Sequence, residues 1–396
     1  MTTVIPVPPM MTVEQVETRA QLREFCAVPA WMTPAEVASR VPLLRSDVVA
    51  WHRGRSWFPG PVTLLLARDA HGTVVGRCTV HAHAGIDAKL GFPTLLFGAL
   101  EFAHRDAFEA LMATIDEHAA RTGKTHIMGP VSLLPNETGG VVVAGHEHPG
   151  FFDSAWNSPL VSYAFETSGF TPFSGGRTWE VDLGKVPAKR ATTPAPQEFA
   201  EAGVELLAPD RLSVRKVLNR VLPTLNEAFD PLPYYTPISA EQFASQTSGL
   251  ELLMDPGLIV AAQEVEAEES TPVAGFILTV PDPVDHLRAT NGTLSPTFAA
   301  RLLREHLLPQ RLLRQRFTTS GKDAVLIIQG SRPSVQGRGI VSLLARQMFS
   351  TLVKKNYRRL RITFIGEDNP GSEAIPRKAG GHPLHDIRFF LRKVHT

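Results

Sequence analysis

The apolar spacing of this chain traces one order of elements twice, and few architectures accommodate such a repeat. The first half opens with an alternating segment, Thr12 to Thr18, then helix-like stretches over Ala20–Cys26 and Pro42–Trp51. Val62–Ala67 and Thr73–His81 flank His71-Gly72 as the arms of a hairpin do. Pro93–Phe102 reads as a strand leading into Asp106–Arg121, where Phe108, Leu111, Met112 and Ile115 recur at helical spacing before a stop at Gly123. Thr125–Met128 is a short strand, Pro159–Thr167 a helix and Thr178–Leu183 a closing strand.

The second half repeats this order. Val204–Leu207 is a strand, and Arg211–Phe229 and Ala240–Leu253 are helices. Leu258–Val265 and Val273–Val280 form a strand pair around the acidic turn Glu266–Ser270, and Ser295–Phe317 is a helical insertion. Asp323–Gln329 is a strand, Gly339–Val353 a helix, Arg359–Ile365 a strand, Ser372–Ala379 a helix and Asp386–Val394 the last strand. Between the halves, 185–197 has no apolar periodicity and reads as a linker. The expectation is two α/β (α+β) domains, 1–184 and 198–396, each a mixed, largely antiparallel sheet flanked by helices. A length of 396 residues agrees, since one domain takes about 100–200.

Composition excludes more than it selects. A net charge of +1 gives no electrostatic case for nucleic acid or an anionic membrane. Cys26 and Cys78 cannot build a disulfide framework and suit a reducing compartment. Residues 1–11 are Pro-rich and uncharged, unlike a signal peptide, and no apolar run reaches the ~18 residues of a membrane span. A cytoplasmic protein is expected.

The segment that carries chemistry is 323–353. Ala324-Val325-Leu326-Ile327-Ile328 reads as a strand buried on both faces, and Gly330 and Pro333 end it. Gln336-Gly337-Arg338-Gly339-Ile340 then opens a helix whose Leu343, Leu344, Met348 and Leu352 share a face. The first N–H groups of a helix lack internal partners and sit at the positive end of its dipole, while glycine lets the main chain approach an anion closely. A pyrophosphate is the natural guest. Neither a P-loop nor a dinucleotide-fold glycine pattern fits this stretch.

This segment resembles the GNAT superfamily of acyl-CoA N-acyltransferases, whose signature Gln/Arg-x-x-Gly-x-Gly/Ala follows the fourth strand and holds the coenzyme A pyrophosphate. Gln336 and Gly339 match it, and Val341 stands where the signature carries a small residue. The resemblance implies cofactor contacts at Ser331, Gln336, Gly337, Arg338, Gly339 and Ile340, with Asn369 at the end of a splayed fifth strand meeting the pantetheine arm. Pro376 occupies the position of the family's usual tyrosine acid. Gly129-Pro130-Val131-Ser132 and Val280-Pro281-Asp282 extend the likeness to a bacterial group with two GNAT copies in tandem. The corresponding junction of the first copy, Glu101 to Asp106, has no glycine and two carboxylates. That copy is therefore expected to bind no coenzyme A and to be structural or to shape the acceptor pocket.

The implied reaction moves an acyl group, acetyl in the first instance, from acetyl-CoA or another acyl-CoA to a small-molecule amine. Candidate proton-handling residues are Glu367, Asp368 and Tyr235, with Tyr234 beside it. Two other readings stand: a degenerate, non-catalytic binding module, and a transferase using an aminoacyl-tRNA or carrier-protein donor. The latter rests on Arg301, Arg304, Arg311, Arg314 and Arg316, a stripe that more often is a solvated helix face. His81, His83, His146 and His148 lack a complementary cysteine or carboxylate set, so no metal is expected and they read as solvent-facing. The loop 135–140 suits a pocket rim as well as it suits a plain turn.

Overall fold

A computed structural model describes residues 11–210, 213–247, 254–268, 270–294 and 323–394. The first half runs β1 (Thr12–Gln15), α1 (Arg19–Cys26), α2 (Pro34–Ser39), α3 (Arg45–His52), β2 (Thr63–Arg68), β3 (Val74–His81) and α4 (Ala84–Leu90). It continues through β4 (Thr94–Phe102), α5 (Arg105–Arg121), β5 (His126–Gly129), β6 (Val141–Ala144), α6 (Pro159–Glu166) and β7 (Thr171–Asp182). The second half comprises α7 (Ala188–Ala191), α8 (Pro196–Glu201), β8 (Val204–Leu207), α9 (Val214–Phe229), α10 (Ala240–Thr247), β9 (Ile259–Glu264) and β10 (Gly275–Pro281). Then follow α11 (Val284–Ala289), β11 (Asp323–Ser331), α12 (Ile340–Lys354), β12 (Arg359–Gly366), α13 (Pro370–Lys378) and β13 (His382–Lys393). The insertion at Ser295–Phe317, with its arginine stripe, lies outside the described residues.

Local chemistry accounts for several of these elements. Capping boxes start α1 and α2, where Thr18 pairs with Gln21 and Thr33 with Glu36. In α5, Ala107, Phe108, Leu111, Met112, Ile115 and Ala119 are buried along one stripe, and Gly123 at φ 69° turns the chain after it. Helices α2 and α4 are absent from the sequence-based expectation; both are short and bury little.

All the described strands join one mixed sheet in the order β1-β2-β3-β4-β5-β13-β7-β12-β11-β10-β9-β8, with β6 also on β13. The two halves exchange their last strands. β13, from the end of the chain, pairs with β5 and β6, while β7 pairs with β12. The two exchanged strands pair with each other at the centre. Side chains follow the exchange: Trp179, Val181 and Leu183 lie in the core of the second half, and Phe390 in a core of the first.

The segment expected to be a linker is instead seated. It carries α7 and the start of α8, with Thr193 Oγ1 2.6 Å from Ser350 Oγ and Glu198 paired with Arg346, both partners lying on α12. Pro196 at the first helical position and Glu198 reaching back to the Ala195 N–H start α8 without an apolar period to announce it.

Among the described residues each half holds one parallel strand pair, and the two pairs end differently. β4–β5 pairing stops at Leu96↔Met128, and β11–β12 pairing stops at Leu326↔Ile362. Beyond the first stop the chain closes its own gap: the Val131 N–H donates to Phe97 O at 2.9 Å. A Cβ at Gly98 would lie 1.7 Å from Val131 O, so only glycine permits that approach. Gly98→Ala is expected to destabilise the fold by about 3 kcal/mol, read as a lower urea midpoint. In the second half the matching carbonyl, Ile327 O, accepts from the Thr363 hydroxyl at 2.7 Å, and the strands beyond diverge.

Candidate functional site

The divergence of β11 and β12 opens a cleft between the two strands. Ile327, Ile328 and Gln329 line one wall and Thr363, Phe364 and Ile365 the other. Pro233, Tyr234 and Tyr235, from the α9–α10 connection, cover it, and Asn136, Glu137 and Asp153 of the first half complete it. The Gln329 side-chain carbonyl is buried and has no protein partner among the described residues.

At the end of β11 the chain passes through a 3₁₀ turn, Pro333–Val335, into the exposed loop Gln336–Gly339. Gly337 has φ 84° and Gly339 φ 77°, and a Cβ on either would meet nothing within 4 Å. Gly339 is the N-cap of α12 and brings no side-chain cap to it. This 15-residue helix is thus led in by glycines rather than by a capping side chain, with the Ser342 and Leu343 N–H groups donating to Gly339 O. The equivalent helix of the first half, α5, is capped from within, because His104 Nδ1 accepts from the Ala107 N–H. Val341 does not crowd the Gln336–Gly339 loop, since its side chain packs on the core under α12. Arg338 is held by Glu264 at 3.4 Å, and Arg332 by Glu227 at 3.1 Å.

The sequence-derived candidates separate on this geometry. Ser331 ends β11 opposite Gly275. Asn369 lines the cleft and caps α13, its Oδ1 accepting from the Ser372 N–H at 3.1 Å. Asp368 lines the cleft and is exposed at its mouth. Glu367 is engaged elsewhere: it points out of the cleft and pairs with Arg388 at 2.7 Å. Tyr235 is also committed. Its hydroxyl donates to Asn226 Oδ1 at 2.6 Å, and burial pushes its pKa up.

Tyr234 lines the cleft beside Tyr235. Its ring packs against Phe364 and Phe389, and its hydroxyl lies 3.5 Å from where a Cβ on Gly366 would sit. Burial, and then the negative charge of Asp368, push its pKa up to about 12, so it is a protonated donor at neutral pH. Pro376 is a buried residue inside α13 and offers no proton.

The first half adds two carboxylates. Glu137 accepts from the Leu133 N–H at 3.2 Å and from Gln246 Nε2 at 2.6 Å. Burial, and then the charges of Asp153 and Asp47, push its pKa up to about 7 against those hydrogen bonds. Burial likewise pushes Asp153 up to about 6, although the Thr138 hydroxyl donates to it. Sequence reasoning left the loop 135–140 open between a pocket rim and a plain turn and gave neither carboxylate a role.

His81 is not solvent-facing. Both faces of β3 are covered, its Nε2 lies 2.7 Å from Leu133 O, and burial pushes its pKa down to about 4. No group of three or more metal-ligating side chains occurs among the described residues, and none of their helices is long and apolar enough to cross a membrane.

This architecture is the tandem GNAT fold. A tandem GNAT protein from the clavulanic acid biosynthesis pathway superimposes over 98% of this chain and 99% of its own, with a TM-score of 0.56 at 15% identity. In sequence, the chain is 23% identical over 407 residues to the bacterial ceramide synthase of Caulobacter vibrioides, covering 97% of this chain and 98% of that protein. It is 22% identical over 332 residues to protein YghO of Escherichia coli, covering 82% and 80%. No protein-family model matches the chain.

Proposed function

We propose that the protein is an acyl-CoA-dependent N-acyltransferase with one active site, in the cleft of the second half. The observation that carries this is the pairing of an open strand divergence with an uncapped, glycine-led helix at its mouth. Main-chain amides of Gly337 to Ile340 would hold the pyrophosphate, with Arg338 adding charge. The Gln329 carbonyl, otherwise unpaired, suits an amide N–H of the pantetheine arm.

In the reaction, the acceptor nitrogen attacks the thioester carbonyl and a C–N bond forms. Collapse of the tetrahedral intermediate breaks the C–S bond. Tyr234 gives its proton to the departing thiolate and regains one from the new amide nitrogen. No serine or cysteine in the cleft is set up as a nucleophile, so transfer is direct.

The cleft walls include Leu232, Ile238, Ile327, Ile362, Phe364 and Phe389. Such a lining favours hydrocarbon on the acyl group or on the amine. The Caulobacter relative carries the name of an enzyme that makes a lipid amide, in keeping with this preference.

The test is release of free coenzyme A from acetyl-CoA and palmitoyl-CoA, each offered spermidine or a long-chain amino alcohol. Release that depends on both substrates is expected, fastest where a hydrocarbon chain is present. Tyr234→Phe should lower kcat by roughly 100-fold and leave KM for acyl-CoA unchanged. Coenzyme A binding with no release in any combination would define a binding module instead.

A further inference from the structure

The first half has lost the means to run the reaction itself. Its parallel strand pair is sealed where Val131 crosses Gly98, and its helix start is capped by His104. The loop that seals it continues directly into 135–139, which lines the cleft of the other half. A degenerate copy kept only as scaffold has no need to send a carboxylate there.

We propose that Glu137, carried by the first half, is the base that takes the proton from the acceptor amine in the cleft of the second. This rests on the transfer reaction proposed above. Glu137 is enclosed by protein yet open to the cleft. Its two oxygens are fixed from two sides, by the Leu133 main chain and by Gln246 of α10. Leu133 is itself anchored through its carbonyl by His81. Such support from several elements holds a reacting group in place.

The other carboxylates near the cleft are less suited to the task. Glu367 is paired with Arg388, Asp368 is exposed at the mouth, and Asp153 is fixed through one oxygen, by Thr138, where Glu137 is fixed through both. The ammonium form of the acceptor would give one N–H proton to Glu137, whose O–H bond forms as the N–H bond breaks. The neutral nitrogen then attacks, and Glu137 releases its proton to water once the product leaves.

The charged and titratable groups facing Glu137 are Asp153 from the 150–157 segment, Asp47 from α3, and Asp368 and Tyr234 across the cleft, with His81 behind Leu133. Burial, and then the two acids named first, raise its proton affinity, so its ionisation falls where an amine acylation operates. The sign for stability is the opposite of that for rate. A carboxylate that binds its proton more tightly in the folded state stabilises the fold below its unfolded pKa. That contribution is lost as pH rises through about 7.

The experiment compares Glu137→Gln and Glu137→Asp with the wild type in the full-length chain, using whichever acyl-CoA and amine pair gives the fastest coenzyme A release. The wild-type rate should rise with pH to a plateau above about 7. Glu137→Gln should lose this limb and fall by roughly 100-fold at the plateau, with palmitoyl-CoA affinity measured by calorimetry within about twofold of wild type. Glu137→Asp should keep the limb at a reduced rate. Thermal unfolding gives an independent reading, since Glu137→Gln should remove a fall in midpoint between about pH 4.5 and 7. A Glu137→Gln protein that binds palmitoyl-CoA and retains the whole limb overturns the assignment alone. A wild type that binds no coenzyme A, or binds it and never turns over, overturns the transfer reading beneath it.

Discussion

Gly339→Asp is expected to weaken binding of coenzyme A by on the order of 100-fold while leaving the fold intact. Nothing lies within 4 Å of the new Cβ, so the protein itself accommodates the side chain. The φ of 77° costs an aspartate about 1 kcal/mol, the ordinary penalty for the left-handed region. The larger effect falls on the ligand. A carboxylate ~5 Å from a phosphate, at an effective dielectric of about 20, is repelled by about 3 kcal/mol. That figure corresponds to roughly a hundredfold in Kd. Calorimetric titration with coenzyme A checks the loss, and Gly339→Ala separates the charge from the backbone strain by showing only the smaller part.

The second large effect concerns the exchanged strands. Expressed separately, 1–184 and 198–396 are each expected to fail to fold, and to recover structure when produced together. Without β7, strand β12 keeps β11 on one side and bare backbone on the other, an edge prone to aggregation. The second half also loses Trp179, Val181 and Leu183 from its core. At about 2 kcal/mol for each buried large side chain, that removes about 6 kcal/mol from a domain whose net stability is ~5–15 kcal/mol. Circular dichroism and urea titration of 198–396 alone read this out. A cooperative transition in the isolated half would contradict the exchange.

The strand exchange also marks where the sequence stops being informative. Apolar runs and alternation located most strands, because side-chain period depends only on which faces are covered. They do not say which edge a strand will join, and Trp179 alternates identically beside β12 or beside β5. The phosphate-loop candidate was legible for the opposite reason: glycine at positive φ, a preceding buried strand and a following helix are all local chemistry. Tyr234 and Tyr235 mark the boundary between the two cases. They are neighbours of identical composition and both line the cleft, yet the Tyr235 hydroxyl is committed to Asn226. His81 differs from its solvent-facing reading because residue type does not report burial, and both faces of β3 are covered. Glu137 was hidden for a further reason. Its environment comes from Asp47, Asp153 and Gln246, which are scattered along the chain and meet only in the folded molecule.

The pairing of a sealed copy with an open one predicts a stoichiometry. Titration of the full-length protein with coenzyme A should give one saturable site per chain, weakened by on the order of 100-fold in Gly339→Asp. Two equivalent sites would mean that the gap beside Gly98 opens, and no site would mean that the amides ahead of Ile340 hold no diphosphate; either contradicts a single acyl-CoA cleft built jointly by the two halves.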